Sequence, residues 1–127
     1  MAQQACVFDG SLSIEPPVGD PSGQPTTLMS YTERVYLDRS ITANYTLGTD
    51  NVVAVAISPL ARVNVLSIRV VGGYVLARIT TNAGTTQTVP VDPLLILETD
   101  NVNITALDLQ RQAGIDTEVY IALGEKA

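Results

Sequence analysis

Apolar and polar residues alternate over much of this chain with a period of two, broken wherever turn residues gather. Tyr31, Glu33, Val35 and Leu37 share one face of a first run. Ile41, Ala43, Tyr45 and Leu47 repeat at the same spacing in the next. Successive side chains of an extended backbone point to opposite faces, so this spacing predicts strands with one buried face. Leu47-Gly48-Thr49-Asp50-Asn51 turns the chain, Val52–Ile57 is a continuous β-branched run, and Ser58-Pro59 ends it. Val63–Val71 and Tyr74–Thr80 follow, and the Gly72-Gly73 pair between them reads as a two-residue hairpin. Asn82-Ala83-Gly84 turns into Thr85–Val89, and Pro90 and Pro93 bracket a corner before Leu94–Glu98. Asp100-Asn101 leads to Val102–Leu109, and Thr117–Leu123 closes the series. One stretch competes as a helix: Ala106–Gly114 (ALDLQRQAG) allows a short helical turn. About eight or nine strands without alternating helices predict an all-β fold, a single-domain β-sandwich that is jelly-roll-like in its strand count.

An internal echo fits that architecture. LGTDNVVAVAI at Leu47–Ile57 and LETDNVNITAL at Leu97–Leu107 agree at six of eleven positions. In each, a polar turn delivers the chain into an apolar strand. Two such units suit a sandwich of two similar Greek keys, and converging turn chemistry explains them equally. A propeller would need more copies.

The N-terminal quarter has a different texture. Residues 9–27 hold four of the seven prolines, Pro16, Pro17, Pro21 and Pro25. Proline fixes φ and donates no ladder hydrogen bond, which excludes a central strand or a helix there. The chain therefore divides into an extended Pro-rich arm or loop over 1–30 and a sandwich over 31–127. Val7, Phe8, Leu12, Ile14 and Val18 are apolar anchors along the first part, a candidate partner-binding arm. Packing of the same anchors on the chain's own sandwich is the alternative, and so is simple terminal disorder.

Composition narrows the function. The chain has 127 residues, 46% hydrophobic and 16% charged, with a formal net charge of -6. That length suits one domain with a real core. Seven basic against thirteen acidic residues argue against nucleic acid and against an anionic membrane surface. Nowhere does an apolar run reach the ~20 residues that span a bilayer. The start of the chain has neither a basic nor an apolar signal region, so the expectation is a soluble protein made in the host cytoplasm. The lone cysteine, Cys6, allows no intrachain disulfide and has no basic neighbour to activate it. The sequons at Asn44 and Asn103 read as chance matches within strands.

Candidate chemistry is sparse. There is no histidine, so a serine nucleophile lacks its usual base, and the sole lysine is Lys126. Asp92, Glu98, Asp100, Asp108, Asp116 and Glu118 crowd the C-terminal third but flank turns and match no calcium loop. No catalytic, cofactor-binding or metal-binding residue is expected, and no cofactor. Tyr31, Tyr36 and Tyr45 could offer a sugar-stacking platform, but Tyr31 and Tyr36 have opposite parity on one strand. Six arginines against one lysine lean toward interface ion pairs.

The stretch ITANYTLGTDNVVAVAISPLARVNVLSIRVVGGYVLARITTNAGTTQTVPVDP resembles the virion proteins of tailed bacteriophages. Low lysine, abundant Thr, Asn, Val and Ala, a Pro-rich N-terminal segment and one compact β unit are similar to the small head-decoration or cement proteins. That resemblance covers residues 31–127 in style. It implies a non-enzymatic β-sandwich on the capsid surface of the virion. Its partners would be the major capsid protein or other virion proteins, clamped against internal pressure, and it would form a homo-oligomer, a dimer or trimer. The competing expectation is a tail-associated or carbohydrate/receptor-binding module.

Overall fold

The computed structural model describes residues 4–14, 19 and 26–127. Nine strands run through them: β1 (Gln4–Ile14), β2 (Thr26–Leu47), β3 (Val53–Ala54), β4 (Val65–Val71), β5 (Val75–Thr81), β6 (Thr86–Val91), β7 (Leu94–Glu98), β8 (Ile104–Arg111) and β9 (Thr117–Lys126). They form a five-stranded sheet ordered β1-β2-β9-β4-β7 and a four-stranded sheet ordered β3-β8-β5-β6. Every pairing is antiparallel. The fold is all-β, as the alternation predicts. No helix long and apolar enough to cross a membrane occurs among the described residues. The stretch with helical potential, Ala106–Gly114, is strand to Arg111 and then a turn.

The inner faces of the two sheets make the core. Leu66, Ile68 and Val70 of β4 and Val119, Ile121 and Leu123 of β9 meet Val75 and Ala77 of β5 and Leu107 and Leu109 of β8. Leu66, Ile68 and Leu109 are wholly inaccessible. Each such side chain contributes roughly 1.5–3 kcal/mol relative to exposure. At one end two buried polar side chains are tied to the backbone, while the neighbouring Thr99 Oγ1 is buried without a partner. Asn64 accepts from Lys126 N at 3.3 Å and from Thr99 N at 2.8 Å, and Glu125 Oε1 accepts from Arg62 N at 2.9 Å.

The two alternating runs before Leu47 are one strand. Residues 37–47 of β2 pair with β9, and residues 26–37 pair with β1. Leu37 lies opposite Lys126 and Arg39 opposite Glu125, so Asp38 is an extra residue, a β-bulge. The bulge inverts the side-chain parity of the strand. Ile41, Tyr45 and Leu47 face the main core. Val35 and Leu37, which share their odd numbering, join Val65 in a separate cluster on the opposite face, over Gly124.

Two local expectations are corrected. Gly72-Gly73 is not a hairpin, because β4 belongs to the five-stranded sheet and β5 to the four-stranded one. It is a crossing between sheets, held close against the loop before β9: a Cβ on Gly72 would stand 2.6 Å from Asp116 O. The Val52–Ile57 run contributes only Val53–Ala54 as strand. Beyond it the backbone follows the core instead of a ladder, burying Val55 before a turn at 57–60 and Leu60 at its end. Of the segment read as an unpaired arm, residues 4–14 are a strand, at the edge of its sheet. None of the four prolines lies among the described residues.

The echo has a structural reason. Each copy leaves the five-stranded sheet, from β2 or β7, and enters the four-stranded one, as β3 or β8. The two arriving strands pair with each other.

Candidate interaction surfaces

The acidic residues are spread over the fold, and several are engaged in local ties. Asp50 Oδ1 accepts from Gly114 N at 3.0 Å and from Arg111 Nε at 2.9 Å, and Arg111 also pairs with Asp116 at 2.7 Å. The Gly114 amide, and then the Arg111 guanidinium, hold the Asp50 carboxyl below its usual value. Glu98 Oε2 lies 3.2 Å from Lys126 Nζ, and Asp100 engages the same ammonium. Desolvation opposes the charge on Lys126, but the bonds to Asp100 and Glu98 outweigh it, and its pKa is raised. Glu118 accepts from Thr46 Oγ1. No group of three acid or cysteine side chains converges among the described residues. Tyr36 and Tyr45 do not share a platform: Tyr36 is exposed, whereas Tyr45 packs against the core with its hydroxyl accepting from Ala56 N at 3.4 Å, and the side chain of Tyr31 lies outside the described residues.

Three surfaces remain. The first is the β1–β2 hairpin. β1 pairs with β2 from Thr26 to Leu37 and β9 from Leu37 to Leu47, so beyond their overlap at Leu37 the ribbon leaves the sandwich and runs about 35 Å at strand rise. Val7, half-exposed, is opposite Arg34, Phe8 opposite Glu33, Leu12 opposite Met29 and Ile14 opposite Thr26. The side chains of Phe8, Leu12 and Ile14, and the whole of Val18, lie outside the described residues.

The second surface is the outer face of the five-stranded sheet. Its cross-strand rows read Thr42–Ala122–Ser67–Ile96 and Asn44–Tyr120–Arg69–Leu94. Small residues between larger ones leave a shallow trough floored by Thr42, Asn44, Ser67 and Ala122 beside Arg69 and Tyr120. The third surface is the free edge of that sheet, β7. There Leu94 is 55% exposed and Ile96 45%.

No family model, curated protein or solved structure matches this chain.

Of the anchors singled out in the sequence, Val7, Phe8, Leu12 and Ile14 fall on one strand. The residues that the sequence reading missed are Leu94, Ile96, Val71 and Tyr120, large apolar groups left exposed on one sheet face. A signal was present: Leu94-Leu95-Ile96-Leu97 is apolar without alternation. A strand of that kind expects cover on both faces.

Proposed function

We propose that this protein is a non-enzymatic virion structural protein, a decoration or cement protein that clamps neighbouring major capsid subunits on a phage head and self-associates there. The observation that carries the reading is the divided pairing of β2, with one half in the sandwich and the other in a hairpin that leaves it. A two-stranded ribbon is marginal alone in water, so a neighbouring surface is its natural support. The strand orders β2-β9-β4-β7 and β3-β8-β5-β6 support the jelly-roll reading, an architecture used by capsid proteins and lectins alike. The resemblance to small head proteins supplies the partner class. Co-sedimentation with empty phage capsid shells tests the proposal: binding supports it, and a chain left wholly in the supernatant overturns it.

A second reading is favoured by one feature. Tyr120 stands exposed between Asn44 and Arg69, above Thr42, Ser67 and Ala122. An aromatic ring flanked by hydrogen-bonding groups is what a carbohydrate-binding tail module would present. A glycan array separates the two readings. Binding abolished by Tyr120→Ala supports the carbohydrate module, and a blank array removes it.

A further inference from the structure

Apart from β1 of the projecting hairpin, four strand edges are open among the described residues, and three are blunted in ways that discourage pairing. β3 is two residues long. β6 carries Pro90, which has no N–H to donate, among threonines. The side of β2 away from β9 beyond the bulge carries Thr42, Asn44 and Thr46 on its outward face. β7 has no such device. Four of its five residues, Leu94 to Leu97, are consecutive and apolar, Glu98 ends it, and Pro93 lies just before it.

The backbone of β7 has a defined parity. Pro93 O accepts from Val70 N, and Thr99 N donates to Asn64 O, both at 2.8 Å. Residues in step with 93 and 99 therefore spend their polar groups on β4 and its flank. Antiparallel alternation turns the N–H and C=O of Leu94, Ile96 and Glu98 toward the open edge.

We propose that β7 pairs with β7 of a second copy of this chain, antiparallel about a two-fold axis at Ile96, so that the two five-stranded sheets become continuous. In this register Ile96 faces Ile96 of the second copy as a hydrogen-bonded pair, and Leu94 faces Glu98 in the same way. Leu95 faces Leu97 across the inner side. Like charges do not meet.

Charge complementarity fixes the occupant. Glu98 and Asp100 share the single ammonium of Lys126, which leaves one negative charge over. Arg69 lies opposite Leu94 on the outer face and is exposed, with no ion pair among the described residues. The two-fold places Arg69 of one copy in the same cross-strand row as Glu98 of the other. They are two strand spacings apart, about 9.6 Å along the row, within reach of two extended side chains crossing over Leu94. A second copy thus covers the apolar edge and supplies the missing cation twice.

This interface rests on the proposed self-association and gives it a geometry, so the tests must separate the two. Sedimentation at about 100 μM, where an interface of micromolar affinity is filled, should show a dimer. Ile96→Lys puts two ammonium groups opposite each other on the axis and should give a folded monomer whose melting temperature no longer depends on protein concentration, since Ile96 lies outside the core. Ile96→Cys in a Cys6→Ser background should form an intermolecular disulfide on oxidation. A hydrogen-bonded pair has Cα atoms about 5.5 Å apart, inside the disulfide range. Thr88→Cys on β6, in the same background, should not cross-link. A monomeric wild type overturns both the interface and self-association. An oligomer that survives Ile96→Lys, or an Ile96→Cys chain that stays reduced while the protein is dimeric, overturns the β7 interface alone.

Discussion

Gly72 combines two constraints that no side chain meets. Its φ is +117°, and a Cβ would stand 2.6 Å from the backbone oxygen of Asp116. Gly84, with φ +84°, has open space around it. Gly84→Ala should therefore cost only backbone strain, about 1 kcal/mol. Gly72→Ala must also displace the loop before β9 and should cost about 2–3 kcal/mol. Paired thermal melts check the difference. Asp50 and Lys126 give opposite pH dependences. The Asp50 carboxyl is depressed in the folded chain, so its tie to Gly114 and Arg111 stabilises above the unfolded value of 3.8 and is lost as pH falls through the folded one. Asp50→Asn should lower the melting temperature at pH 7, with the gap to wild type closing in acid. Lys126 is raised, so its contribution is complete below 10.5 and disappears as pH climbs through its folded value. Lys126→Met should then be least distinguishable from wild type in strong alkali.

At the scale of the element, the bulge at Asp38 lets one strand serve two cores. The same odd-numbered periodicity runs from Val35 to Leu47, yet its halves face opposite ways because one residue is inserted between them. Leu37 fills the space above Gly124, where a Cβ would already meet its methyl groups at 3.0 Å. Leu37→Ala should open a cavity there and cost about 2–3 kcal/mol in denaturant titration. Gly124→Ala should cost less in combination with Leu37→Ala than alone, because the truncation makes the room that the added methyl needs. β7 shows the converse case. Its apolar run is continuous, but the fold covers only one face, and the strand is left at an edge.

For the whole molecule, the hairpin joins the sandwich at its base, where Val35 and Leu37 pack with Val65. Beyond Leu37, where the two pairings overlap, β1 pairs with β2 alone. A chain that begins at Leu28 should keep its melting temperature within a few degrees and lose attachment to capsid shells. Lost stability with attachment intact would return the N-terminal anchors to the sandwich and remove the arm from the function. Far-UV circular dichroism of that chain should retain its strand signature, since both packed sheets remain.

The sequence by itself determined that the chain is all-β and where most strands lie. Leu94–Glu98 matches to the residue, and Val63–Val71, Tyr74–Thr80 and Thr117–Leu123 match within a few positions. Period-two alternation is a property of the local backbone, so it can be read from neighbours in sequence. What only the tertiary structure decided is which strands meet. Gly72-Gly73 looks like a hairpin because the glycines record a tight turn, but not whether the next strand stays in the sheet or crosses to the other. The inversion at Asp38 escapes the pattern because a bulge is defined by the partner strand, here β9. The exposed edge of β7 was hidden for the same reason. Four apolar residues in a row say that the strand wants cover, and only the arrangement of the other strands determines which side goes without it.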